Sequence, residues 1–212
     1  MSRNGAQIEV AEDVLLDGRL ALFHQKQRWL AVADLHFGFE LSQCAAGNLF
    51  PLWGMQTIEE RLTELTRDFR PRHLILLGDI VHDRTAIRVC STFLAKLQAN
   101  TEVVVIAGNH DRQVVKQLKA VPAWRSNGFH FHHGHCEVER ASEIQVMGHH
   151  HPARVMRDGA GLRLKLPAFV QLDRCWIMPA FSPWAAGTPW PICEEERVWL
   201  CSPSRVISLG PP

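Results

Sequence analysis

The chain has 212 residues, 46% apolar and 21% charged, with a net charge of +1. That length fits one domain spanning 1–212 with a real core, and the near-neutral balance excludes a globally basic nucleic-acid binder, leaving only a local patch for such a partner. Six cysteines without a CxxC pair exclude a metal ribbon and a disulfide framework, and read as buried thiols in a reducing cytosol.

The start, Met1 to Gln7, lacks a basic stretch followed by an apolar core. No run approaches the ~20 apolar residues of a membrane span, so a soluble cytoplasmic protein with no membrane partner is expected. Leu20 to Phe23 and Trp29 to Ala33 read as paired strands joined by a polar turn. From Met55 to Phe69, apolar residues at Ile58, Leu62, Leu65 and Phe69 keep helical spacing until Pro71 ends it. Strand Leu74 to Leu77, a helix from about Thr85 to Ala99 and strand Val103 to Ile106 complete a βαβαβ-like half with a parallel sheet.

The second half reads as strands: Phe129 to His132, Ile144 to Met147, Leu162 to Leu166, Phe169 to Leu172, Trp176 to Met178, Val198 to Cys201 and Val206 to Leu209. One helix-rich and one strand-rich half suggest two sheets packed face to face with helices outside. Ser182 to Glu196, rich in Pro and Trp, reads as a fixed surface loop or equally as a mobile lid.

Polar clusters follow the strands: Asp34-Leu35-His36, Gly78-Asp79-Ile80-Val81-His82-Asp83, Gly108-Asn109-His110-Asp111, His133-Gly134-His135 and Gly148-His149-His150-His151. Apolar runs ending in such residues are buried strands that deliver polar side chains to one sheet edge. Asp34, His36, Asp79, Asn109, His133, His149 and His151 together supply carboxylate, carboxamide and imidazole donors for a two-ion site. In Asp34-x-His36 and His149-x-His151, alternation along an extended backbone would aim both side chains of a pair at one centre. Taken singly, each residue has a plainer reading as a turn, cap or hydrogen-bonded core side chain. Donors without thiolate suit Mn, Fe or Zn better than Mg or Ca, and manganese is expected.

The five motifs, in this order, resemble those of the calcineurin-like binuclear metallophosphoesterases. The resemblance implies a four-layer α-β-β-α sandwich of two mixed sheets with flanking helices. It implies that Asp34, His36, Asp79 and His151 hold one ion, and that Asp79, Asn109, His133 and His149 hold the other, with Asp79 bridging. His110 would contact the phosphate and assist the leaving group, and Asp111 would orient it. The implied chemistry is attack on a phosphodiester by a metal-bridged hydroxide. His82, Asp83, Arg112 and His135 lie within motifs as possible supporting or phosphate-contacting residues, while His130, His132 and His150 stay unassigned.

Residues 20 to 187 further resemble the ligase-associated phosphoesterase group, through Val32-Ala33-Asp34-Leu35-His36-Phe37-Gly38, Leu166-Pro167-Ala168-Phe169 and Met178-Pro179-Ala180-Phe181. This chain departs from the group by carrying Phe39-Glu40 after Gly38, and Ser182 and Ala185-Ala186-Gly187 in the closing elements. The resemblance implies a metal-dependent DNA endonuclease in DNA repair, associated with DNA ligase, helicase and exonuclease partners. With no cap domain inserted between the motifs, an open site accessible to single strands is expected. The alternatives are a small-molecule phosphodiesterase or phosphatase acting on nucleotides or cyclic nucleotides, and a metal-binding scaffold without catalysis. Two arginine groups, Arg61, Arg67, Arg70 and Arg72, and Arg154, Arg157 and Arg163, could meet phosphates, though solvated faces are the commoner role. Trp184 and Trp190 could stack on unpaired bases or pack the loop down.

Overall fold

The computed structural model describes residues 5–136, 142–157, 159–191 and 196–209. In chain order, β1 (Gln7–Ala11), β2 (Val14–Asp17), β3 (Ala21–His24) and β4 (Trp29–Ala33) form an antiparallel meander. Helices α1 (Phe39–Ala45) and α2 (Gly54–Phe69) lead to β5 (His73–Leu77), and α3 (Ile87–Gln98) to β6 (Glu102–Ile106). Strands β4, β5 and β6 are parallel neighbours, which makes this first sheet mixed.

After the short α4 (Val115–Leu118) come β7 (Ala123–Ser126), β8 (Phe129–His132), β9 (Ile144–Met147), β10 (Pro152–Arg157) and β11 (Arg163–Gln171). Then follow β12 (Cys175–Ile177), β13 (Thr188–Pro189), β14 (Arg197–Ser202) and β15 (Arg205–Leu209). The second sheet runs β13-β10-β11-β12-β9-β8-β7, with β14 joining β11 to β15, and it is mixed as well. The α/β arrangement of two mixed sheets with flanking helices is the expected one, and all described helices fall between residues 39 and 118.

The sheets meet through large side chains. Trp29 of β4 is fully buried and packs edge-on against Phe129 and Phe131 of β8, at 5.1 and 5.0 Å between ring centroids. Period-two alternation turns Phe129 and Phe131 toward the first sheet and sends His130 and His132 to the opposite face. Helix α2 buries Ile58, Leu62 and Leu65, and α3 buries Cys90, Phe93, Leu94 and Leu97, each one apolar stripe at helical spacing. Among the described residues no helix is long and apolar enough to cross a membrane.

Two expectations need revision. Leu162 to Leu166 and Phe169 to Leu172 are one strand, β11. It pairs with β10 as far as Pro167, then from Ala168 onward with β14 and β12. Proline lacks a ladder donor, and it stands where the strand changes partners. The helix expected from Thr85 begins as a 3₁₀ turn, Arg84–Ala86, capped by the Asp83 carboxylate on the Thr85 N–H at 2.8 Å. Part of the segment 182–196 is fixed: Thr188 donates to the His151 carbonyl and Trp190 to that of Ala153. Residues 192–195 lie outside the described set.

His132, 5% exposed, is off the expected metal site, and burial pushes its imidazole down to about 4. Because that lies below the unfolded value of ~6.5, the neutral ring stabilises the fold above pH ~6.5, and the contribution is lost as pH falls from there toward 4. The metal-free protein should therefore be less stable at pH 5 than at pH 7, with His132 accounting for on the order of 2 kcal/mol. Melting curves across this range should flatten in His132→Phe, and an unaltered slope would remove His132 as a cause.

Candidate metal centre

Parallel pairing brings the C-terminal ends of β4, β5 and β6 to one edge, so Asp34, Asp79 and Asn109 emerge together. Strands β8 and β9 are parallel too, and His133 and His149 leave their ends. Backbone bonds join the two edges. Phe181 and Ser182 donate to the carbonyls of Ala33 and Asp34, and the His149 N–H donates to the Asp34 carboxylate at 2.9 Å.

Two donor groups result, Asp34 with His36 and His151, and Asp79 with His133 and His149, each with ligand atoms within 4.8 Å of one another. The His36 and His151 Nε2 atoms stand 3.5 Å apart, and His151 Nε2 is 3.5 Å from Asp34 Oδ1. Asp79 Oδ2 faces both groups, 3.9 Å from His36 Nε2 and 3.4 Å from His133 Nε2. Asn109 Oδ1 lies 3.0 Å from His133 Nε2. His133 Nδ1 is 3.0 Å from the Leu77 carbonyl, a contact that places its proton there and leaves Nε2 as the donor atom.

These residues fit divalent ions. Carboxylate oxygens and imidazole nitrogens converge on common points in buried surroundings, where such donors are normally paired or metal-bound. Burial pushes the His36 imidazole down to about 3, which keeps it neutral and ready to donate a lone pair. Burial alone would raise the Asp79 carboxyl, but His133, the His110 N–H and His36 together hold it well below the ordinary carboxylate range.

The backbone route to the site differs from the expected one. Asp34, His36, Asp79, His149 and His151 have φ of 55°, 44°, 47°, 70° and 47°, so these residues are left-handed rather than extended. Strand alternation therefore does not aim the pairs, and His149 and His151 go to different donor groups. Left-handed backbone at a residue with a Cβ costs roughly 1–2 kcal/mol, and it persists where the surroundings over-determine it, as at functional sites. Crowding removes side chains between the ligands. A Cβ on Gly78 would stand 2.2 Å from His133 Nδ1, and one on Gly148 would stand 2.5 Å from Asp34 Oδ2.

Asp111 is not where the resemblance implies. It is fully buried, and its carboxylate accepts from the N–H groups of Ile80, Val81 and Gly108 at 2.9–3.2 Å. It thus ties the Asp79 loop to the Asn109 loop. His110 is instead held by its neighbour, Nδ1 standing 3.2 Å from the His82 carbonyl oxygen. The His82 ring stacks near that of His110 at 5.5 Å, and His36, His82 and His110 form a third convergent group.

Asp83 is spent on its helical turn, while His135 and Arg112 are exposed, with the His135 ring 5.2 Å from that of His133. Exposed His150 packs near Trp190, whose Nε1 donates to Glu196 at 2.8 Å. One member of each arginine group holds structure together: Arg61 lies over the Phe181 ring at 4.8 Å and Arg154 donates to the Trp190 carbonyl, while Arg157 and Arg163 are exposed.

Sequence reasoning missed Glu40. It is fully buried, and it accepts from the Met55 N–H at 2.6 Å and from Trp184 Nε1 at 3.1 Å. A lone acidic residue on a short helix carries no signal of such a task.

A family model described as calcineurin-like phosphoesterase matches residues 28–164. Among solved structures, the chain is similar to the Pseudomonas putida nuclease MPE. Identity is 27% with a TM-score of 0.75, over 97% of this chain and 100% of that one. It is also similar to Yfce, a phosphoesterase from E. coli, at 16% identity and a TM-score of 0.43, over 80% of this chain and 86% of that one. No curated protein matches it.

Proposed function

We propose that this chain, which belongs to the calcineurin-like phosphoesterase family, is a manganese-dependent nuclease that cleaves phosphodiester bonds in DNA, preferring single strands, in DNA repair. The observation that carries this reading is the position of the two donor groups, side by side at a sheet edge whose rim residues, His110 and His135, are exposed. A long polymer can lie across such an edge. The likeness to a nuclease over the whole chain supports the same substrate class.

Asp34, His36, Asp79 and His151 would hold one ion, and Asp79, Asn109, His133 and His149 the other. Bound there, two divalent ions supply an acidified water as nucleophile and neutralise the phosphate oxygens. The Asp79 carboxylate, kept ionised and facing both groups, fixes the spacing between them. His110, as an imidazolium with Nδ1–H held by the His82 carbonyl oxygen, would present Nε2–H to hand its proton to the departing oxygen. Mixed nitrogen and oxygen donors without thiolate support manganese over the alkaline-earth ions.

In His110→Ala, both ions should remain, measured as metal per chain, while kcat falls roughly 10²–10⁴-fold. An unchanged rate would reject the proton-donor role. The substrate is tested with manganese present on circular single-stranded DNA, duplex DNA, RNA, cyclic nucleotides and an aryl phosphodiester. Cutting of the circular single strand is expected. Turnover of the small diesters with no nucleic acid cut would overturn the nuclease reading in favour of a small-molecule phosphodiesterase.

A further inference from the structure

Beside the metal centre a cavity of about 200 Å³ is lined by His36, Phe39, His82, His110, Ser182 and Trp184, among others. Drug-sized ligands occupy ~300–1,000 Å³, so this space suits one flat ring rather than a whole nucleotide. Its aromatic lining is not needed to bind an ion or a phosphate.

The walls are fixed in advance. The buried Glu40 carboxylate takes up Trp184 Nε1, so the indole offers its ring to the cavity with its polar tip already satisfied. Gly54 leaves room for that ring: a Cβ there would stand 2.0 Å from Trp184 Nε1. Trp53 and Phe50 brace the indole at 4.2 and 4.6 Å between centroids. Phe39 lies 6.2 Å from Trp184 with its plane within 28° of parallel, and 4.8 Å from the His82 ring. Both aromatic planes are therefore set before any ligand arrives, which removes an ordering cost from binding. His82 Nδ1 is buried without a hydrogen-bond partner and can meet a polar edge of a ring beside it.

We infer that Phe39, His82 and Trp184 form a stacking subsite for the unpaired nucleobase next to the scissile phosphate. This deepens the nuclease reading and rests on it for the identity of the phosphate. A paired base cannot leave its stack without a further cost, so the subsite selects single strands. Every base offers a π-face, so selection among the four bases is weak.

The test is equilibrium binding, with manganese present, of a nucleoside phosphonate that resists hydrolysis and of the same sugar phosphonate without its base. In the wild type the base should tighten binding by about tenfold, the effect of one stacked ring. Trp184→Leu and Phe39→Leu should each shrink that ratio toward one, and Trp184→Phe should restore most of it. Equal affinity of the two ligands for the wild-type protein would overturn the subsite, and that comparison requires no variant to fold. A base-dependent affinity in an enzyme that cuts no nucleic acid would uphold the subsite while rejecting the nuclease reading. Cleavage of single strands without base-dependent affinity would do the reverse.

Discussion

Asp79→Ala should reduce phosphodiester hydrolysis to background and strip both ions from the protein. One oxygen of this carboxylate faces His36 at 3.9 Å and His133 at 3.4 Å, and the other accepts the His110 N–H at 2.9 Å. Alanine removes the anion facing both donor groups and leaves that N–H unmet. Metal content per chain and turnover of an aryl phosphodiester are the measurements. Asp79→Asn, of the same shape, separates loss of charge from loss of fold by its melting temperature. Activity near wild type in either variant would take Asp79 out of the bridging role.

The second large effect is one of stability. Asp111→Ala leaves the N–H groups of Ile80, Val81 and Gly108 without their acceptor in a fully buried place. Unsatisfied buried donors cost about 1–3 kcal/mol each, so a loss of about 3–5 kcal/mol is expected after partial relaxation. Burial raises this carboxyl above its ordinary value against the pull of those three donors. Denaturant unfolding at neutral pH gives the number. Full stability with lost turnover would return Asp111 to the task of orienting His110.

The sequence made the two-sheet plan legible because its strands are apolar runs with sharp polar ends, as at Val32-Ala33-Asp34 and Leu76-Leu77-Gly78. The candidate ligands could be picked out for the same reason. Their aim could not, because the left-handed backbone at Asp34 and His149 is fixed by contacts between sheets rather than by local preference. A run such as Arg163–Gln171 carries a proline that signals a break, and only the pairing shows the strand continuing through it. The roles of Glu40 and Asp111 were hidden for a related reason. Each acts through atoms far along the chain, Met55 and Trp184 for one and Ile80 and Val81 for the other.

The bond from the His149 N–H to Asp34 spans 115 positions. Ordering so long a loop is entropically unfavourable until many other contacts share the cost, and such contacts form late in folding. A ribosome that has delivered Asp34, His36, Asp79 and Asn109 has therefore made most of the donors but no complete site. Completion waits for His133, His149 and His151, and with them for the second sheet to dock. Ions captured after that point would act as staples between the two halves, resisting unfolding by mass action in proportion to how tightly the folded chain held them.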